Sequence, residues 1–161
     1  MFLWDLDKST KPLERLLGHQ KLVNHVCFSP DGRVIASASF DNSVKLWNAR
    51  DGKFLFTLRG HVAPVYQCSF SADSRLLVSS SKDTTLKVWD VRTGKLDTDL
   101  PGHQDEVFAV DWSPDGKKVA SGGKDKVGPQ KPYSHLGTLL TITGNTVMEA
   151  LRLWLFIKSI T

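Results

Sequence analysis

Cysteine is scarce: the 161-residue chain has only two, Cys27 and Cys68. That excludes the disulfide framework on which small secreted domains depend. The two lie one residue out of step with the repeat described below, so if both are on strands they point to opposite faces, and a disulfide between them is not expected. Thiols left unbridged in a chain of this size point to a reducing compartment, cytosol or nucleus. Long apolar runs are also missing. Met1-Phe2-Leu3-Trp4-Asp5 has no basic segment followed by an apolar stretch, so no signal peptide is expected. The most apolar run, Met148 to Ile157, is shorter than the roughly 20 residues that span a bilayer, so no membrane partner is expected. Charge of one sign is nowhere concentrated. Lys and Arg number 21 against 17 Asp and Glu, for a net charge of +4. Phosphate recognition needs clustered basic side chains on one face, so no direct nucleic-acid site is indicated.

What the chain does have is a repeat of 42 residues. Gly18-His19, Gly60-His61 and Gly102-His103 open three copies, and Trp47-Asn48 and Trp89-Asp90 close the first two. A third closing Trp is due at position 131, where the chain has Lys131, and nothing after Lys126 fits the register. In repeat proteins each copy buries its apolar faces mainly against its neighbours, so copy number matters more to stability than length does.

Each copy reads as four short strands. In the first, Val23, Val26 and Phe28 run into the turn Ser29-Pro30-Asp31-Gly32, where Pro presets φ and Gly tolerates the left-handed region. Val34 to Ser39, Val44 to Trp47 and Lys53 to Leu58 follow, separated by Phe40-Asp41-Asn42 and Asp51-Gly52. The second copy has Val65 to Phe70, Leu76 to Ser81, Thr85 to Trp89 and Lys95 to Leu100 in the same order. Small antiparallel units at this period predict an all-β chain, a partial β-propeller.

The pattern Gly-His, Phe-Ser-Pro-Asp-Gly, Ser-x-Ser-x-Asp, then Leu-Trp-Asn or Val-Trp-Asp resembles the WD repeat, over Met1 to Lys126. The implied organisation is a half blade at 1–17, full blades at 18–59 and 60–101, an incomplete blade at 102–126, and a divergent tail at 127–161. Phe2 to Asp5 and Leu13 to Leu17 supply the outer strands of the first half blade. About three blades' worth of strands is fewer than the four to eight blades that close known propellers, so an open arc is expected. Its exposed edges invite pairing, including head-to-tail self-association.

His19, Ser37, Asp41 and Trp47, and again His61, Ser79, Asp83 and Trp89, recur at fixed spacing; the third copy keeps His103, Ser121 and Asp125 without a Trp. A hydrolase needs one activated nucleophile in one cleft, whereas this set recurs in successive copies, so no catalytic residue and no cofactor is expected. The resemblance implies instead a buried hydrogen-bond chain in each blade, incomplete in the third. It also implies protein-binding positions at the residue after the first Val of each inner strand, Asn24, Tyr66 and Phe108, and before each tight-turn Asp, Phe40, Lys82 and Lys124. Core packing remains the competing reading for Tyr66 and Phe108, whereas Phe40 is a large aromatic in an otherwise polar turn.

Several stretches, among them Leu58 to Tyr66, Ser71 to Ser79 and Asp111 to Gly116, resemble the C-terminal part of the Notchless family. That family implies a non-catalytic scaffold in large-ribosomal-subunit assembly, with pre-ribosomal assembly factors as partners, a nuclear and nucleolar location, and a link to Notch signalling. Its ubiquitin-like domain has no counterpart in these residues, so that domain's contact with an AAA ATPase is not carried over. Two other readings stand beside this one: a truncated splice product without independent function, and a WD-repeat adaptor in another complex. In the tail, Gly128 to Pro132 reads as a linker and Leu139 to Thr143 as strand-like. Met148 to Ile157 fits a helix or a replacement strand equally well.

Overall fold

A computed structural model describes residues 1–7 and 10–125, together with the backbone of one further strand at 140–143. Every regular element among the described residues is a strand. Strands β1 (Phe2–Leu3) and β2 (Glu14–Arg15) form a short antiparallel pair. Strands β3 (Val23–Phe28), β4 (Val34–Ser39), β5 (Ser43–Asn48) and β6 (Phe54–Arg59) form one four-stranded meander. A second meander contains β7 (Val65–Phe70), β8 (Leu76–Ser81), β9 (Leu86–Asp90) and β10 (Leu96–Leu100). Strands β11 (Val107–Trp112) and β12 (Val119–Gly123) begin a third sheet. The result is an all-β partial propeller whose described sheets do not close a ring.

The turns explain why the meanders form. Ser29, Ser71 and Ser113 each donate their hydroxyl to the Asp two residues on, at 2.5–2.6 Å, and accept the N–H of the first residue of the next strand or its neighbour. Gly32 and Gly116 take the left-handed conformation that closes this turn, with φ of 70° and 68°. The second blade has Ser74 there at φ 62°, and its hydroxyl accepts the Asp31 N–H from the first blade at 3.1 Å. A residue ill-suited to the conformation is thus held by a bond between blades.

The core lies in the seams between sheets. Ala36, Ala38, Val44, Leu46 and Leu58 of the first sheet meet Val65, Cys68, Phe70 and Leu77 of the second. Val78, Leu86, Val88 and Leu100 then meet Val107, Val110, Trp112 and Val119. Strand β4, Val-Ile-Ala-Ser-Ala-Ser, is buried along almost its whole length, which its small side chains permit. Leu3 and Leu16 cover Ile35 and Trp47 on the outer part of the first sheet.

Three expectations need correcting or locating. The outer strands expected at Phe2 to Asp5 and Leu13 to Leu17 are two residues each, Phe2–Leu3 and Glu14–Arg15. The cysteines do lie on opposite faces of their strands, but adjacent blades pack face to face. Opposite faces of neighbours therefore meet, and the Cys27 and Cys68 sulfurs are 3.7 Å apart. The bond with Cys27 and complete burial push the Cys68 thiol well up from its ordinary range. In the tail, β13 (Leu140–Thr143) runs parallel to β12, in the place where the repeats set an antiparallel third strand. A parallel neighbour is joined by a crossover rather than by a hairpin turn. Met148 to Ile157 lies outside the described residues.

Candidate protein-binding face and the buried cross-ties

Within the first blade, His19 from the entering loop reaches Asp41 in the tight turn (Nδ1 to Oδ2, 2.8 Å) and Ser37 on β4 (Nε2 to Oγ, 2.8 Å). Trp47 on β5 donates its indole N–H to the same hydroxyl at 2.9 Å. In the second blade His61, Asp83, Ser79 and Trp89 repeat this with every distance at 2.8 Å. One proton arrangement satisfies every member: indole N–H to Ser oxygen, Ser O–H to imidazole Nε2, and Nδ1–H to carboxylate. Gly18 and Gly60 lie against the far edge of the Trp rings, where an added Cβ would approach to 3.3 and 3.0 Å. That close approach is why glycine precedes histidine.

The same distances would suit a Ser-His-Asp catalytic set, but the hydroxyls are sealed in. Ser37 and Ser79 are 0% exposed, and each already accepts an indole N–H. The third blade joins His103 to Asp125 and Ser121 at 2.8 Å each, without a Trp donor among the described residues. Its one described tryptophan, Trp112, sits on the inner strand instead and donates to the Ser69 carbonyl in the seam. Ser39 and Ser81 stand outside the chain; each hydroxyl accepts the N–H of the turn Asp two residues on.

Burial alone would raise the Asp41 and Asp83 carboxyls, but hydrogen bonds outweigh it. Ser43, the Gln20 N–H and His19 hold Asp41 well below the usual carboxylate range; His61 and Thr85 do the same for Asp83. Asp125 moves the same way, its burial outweighed by His103 and the Gln104 N–H. Because the folded pKa values lie below the unfolded value of about 3.9, the stability these groups contribute is complete above that pH and is lost as pH falls below it. Acid unfolding followed by circular dichroism is therefore expected to steepen below about pH 4. Asp83→Asn should flatten that limb.

The candidate binding residues have a shared backbone origin. The pairing of each inner strand shifts register once, between Val23 and His25, Val65 and Gln67, and Val107 and Ala109. Asn24, Tyr66 and Phe108 occupy the three shifted positions, and a bulge of this kind re-aims a side chain. Tyr66 lies between Phe40, at 6.0 Å and nearly perpendicular, and Phe108, at 5.0 Å. Three half-buried rings from three blades thus form one row. Asn24 donates to the Val65 carbonyl at 2.9 Å, bridging the first two blades.

Charged groups border the row. Tyr66 donates its hydroxyl to Glu106 at 2.6 Å; burial and that carboxylate raise the phenol's pKa. Lys82 pairs with the other Glu106 oxygen at 3.4 Å, and Lys124 with Asp105 at 3.5 Å. Both lysines are more than half exposed, so these pairs add little stability. Sequence reading missed Asp105 and Glu106. The signal was present, since they are an acidic pair where the earlier copies carry Lys21-Leu22 and Ala63-Pro64.

The model of the WD domain, G-beta repeat, matches this chain at residues 10–48, 52–90 and 94–127. The chain belongs to the WD-repeat family. Within that family it is 74% identical over 57 residues to Ribosome assembly protein 4 of Saccharomyces cerevisiae, a stretch covering 35% of this chain and 11% of that protein. Over 59 residues it is 69% identical to the Notchless protein homolog of Arabidopsis thaliana, covering 37% of this chain and 12% of the relative. The WD-repeat chain thus matches only about a tenth of the length of these relatives. No helix among its described residues is long and apolar enough to cross a membrane.

Proposed function

We propose that this WD-repeat chain is a non-catalytic protein-binding scaffold in assembly of the large ribosomal subunit, acting in the nucleus and nucleolus. Its partners are pre-ribosomal assembly factors. The observation that carries the binding mode is the row Phe40, Tyr66 and Phe108, half-buried and edged by Lys82, Lys124, Asp105 and Glu106. Rigid aromatics with a polar rim are what protein interfaces use as anchors. The names of the relatives support the process, and the burial of Ser37, Ser79 and Ser121 supports a role without turnover.

The test is capture of pre-ribosomal particles from nuclear extract by the tagged chain and by its Tyr66→Ala variant. Removing the central ring of the row should weaken capture about thirtyfold, the equivalent of a 2 kcal/mol anchor. Equal capture by a Tyr66→Ala variant that retains its circular dichroism spectrum would reject the reading.

A second reading concerns the face of the first blade turned away from the second. Val26 and Phe28 are 47% and 56% exposed, whereas their counterparts Cys68 and Phe70, and Val110 and Trp112, are buried because a preceding blade covers them. We infer that in this chain taken alone a second copy covers that face head to tail. Sedimentation should then show mass rising with concentration, and Val26→Lys should return the chain to a monomer.

A further inference from the structure

The seam between the first two blades brings together three metal-type donor atoms; Cys68 also packs in the core there, and the Cys27 thiol donates to the Cys68 carbonyl at 3.5 Å. His25 and Cys27 are two apart on β3 and so share the face turned toward the second blade; Cys68 on β7 faces them. Cys27 Sγ is 3.7 Å from Cys68 Sγ, and Cys68 Sγ is 3.8 Å from His25 Nδ1. All three donor atoms lie within 4.8 Å of one another, and no other such group occurs among the described residues.

We propose that His25, Cys27 and Cys68 bind a zinc ion that clips the first blade to the second. The two separations that involve Cys68 are close to tetrahedral edges. With Zn–S bonds of about 2.3 Å and Zn–N of about 2.05 Å, tetrahedral angles place two sulfurs about 3.8 Å apart and a sulfur and nitrogen about 3.6 Å apart. The sulfurs are therefore already at bonding separation for a shared ion, and the imidazole lies within 4.8 Å of both. Two thiolates and an imidazole suit zinc rather than magnesium or calcium, which favour oxygen ligands. Three protein ligands leave a fourth position for water or a partner's side chain.

The next seam is an internal comparison. Its equivalent positions are Gln67, Ser69 and Val110, and the polar groups there are used otherwise: Gln67 accepts the Val110 N–H, and Ser69 donates to Asp111 at 2.6 Å. The repeat therefore does not require a His-Cys-Cys set at this place. Cys68 is fully buried, but His25 and Cys27 are only half-buried, which leaves the ion a route in.

The full chain, purified with a phosphine reductant and stripped with chelator, would be titrated with Co²⁺ as a spectroscopic probe. One equivalent should produce thiolate-to-cobalt charge transfer and the visible bands of tetrahedral cobalt, both erased by Zn²⁺. Zn²⁺ should also raise the thermal midpoint, since it binds the folded seam. His25→Ala and Cys27→Ala are the informative variants because both positions are partly exposed and tolerate truncation. Each should weaken Co²⁺ binding by more than the roughly 10- to 100-fold typical of losing a mere outer partner. A wild-type chain that gives no charge-transfer band, binding unchanged in both variants, or a chain that stays unfolded with or without zinc would each overturn the proposal.

Discussion

Asp83→Ala is expected to destabilise the central blade severely and with it the cooperative structure of the chain. The Asp83 carboxylate accepts the His61 imidazole at 2.8 Å, the Val62 N–H at 3.1 Å, and the Thr85 N–H and hydroxyl at 3.0 and 2.7 Å. Its side chain is 5% exposed and that of His61 1%. Truncation leaves all these donors facing a void. Each buried donor left without an acceptor costs about 1–3 kcal/mol, so the loss is a large share of a domain's typical total of about 5–15 kcal/mol. The thermal midpoint should fall by about 10 °C or more. Asp125→Ala should cost less, because the sequence places Lys131 where the earlier copies carry Trp47 and Trp89, and Val127 where Ser43 and Thr85 bring a hydroxyl to the turn Asp. An unchanged midpoint for Asp83→Ala would mean that the cross-tie is not structural.

Trp89→Ala should be of similar size for a different reason. The ring is 1% exposed, packs edge-on to His61 at 6.2 Å and lies against Gly60. Removing it empties the middle of the blade, a loss of about 3–5 kcal/mol. Trp89→Phe separates the two contributions: most of the apolar area stays, but Ser79 loses its indole donor, which costs about 1–3 kcal/mol. Because Asp83 and Trp89 are ends of one hydrogen-bond chain, the double variant should lose less than the sum of the two singles. Denaturant unfolding followed by tryptophan fluorescence in Trp47-retaining chains checks all three. Strict additivity would show that the two ends act independently.

Much of this fold was legible in the sequence because the repeat supplied register. Strands β3 and β4 fall where alternation and the Ser-Pro-Asp-Gly turn put them, β7 and β8 fall where the 42-residue period repeats them, and the chain through Ser37 and Ser79 is the one the WD-repeat resemblance implies. What stayed hidden depends on how blades face one another. Strand parity assigned Cys27 and Cys68 to opposite faces, yet only the seam shows that those two faces meet. The bulge that re-aims Tyr66 is a register shift that no single residue announces. Glu106 became part of the candidate face because Tyr66 and Lys82 of the preceding blade converge on it, a contact across 40 residues for the tyrosine. The parallel pairing of β13 with β12 likewise lay beyond a pattern that had ended.

Amide hydrogen exchange on the full chain tests most directly whether this open set of blades is a folded scaffold. Strands β4, β5, β8 and β9 should exchange together, slowly and with one free energy, while β11 and β12 open earlier because Lys131 stands where the repeat places its closing Trp. Uniformly fast exchange, or protection strongest in β11 and β12, would contradict the account.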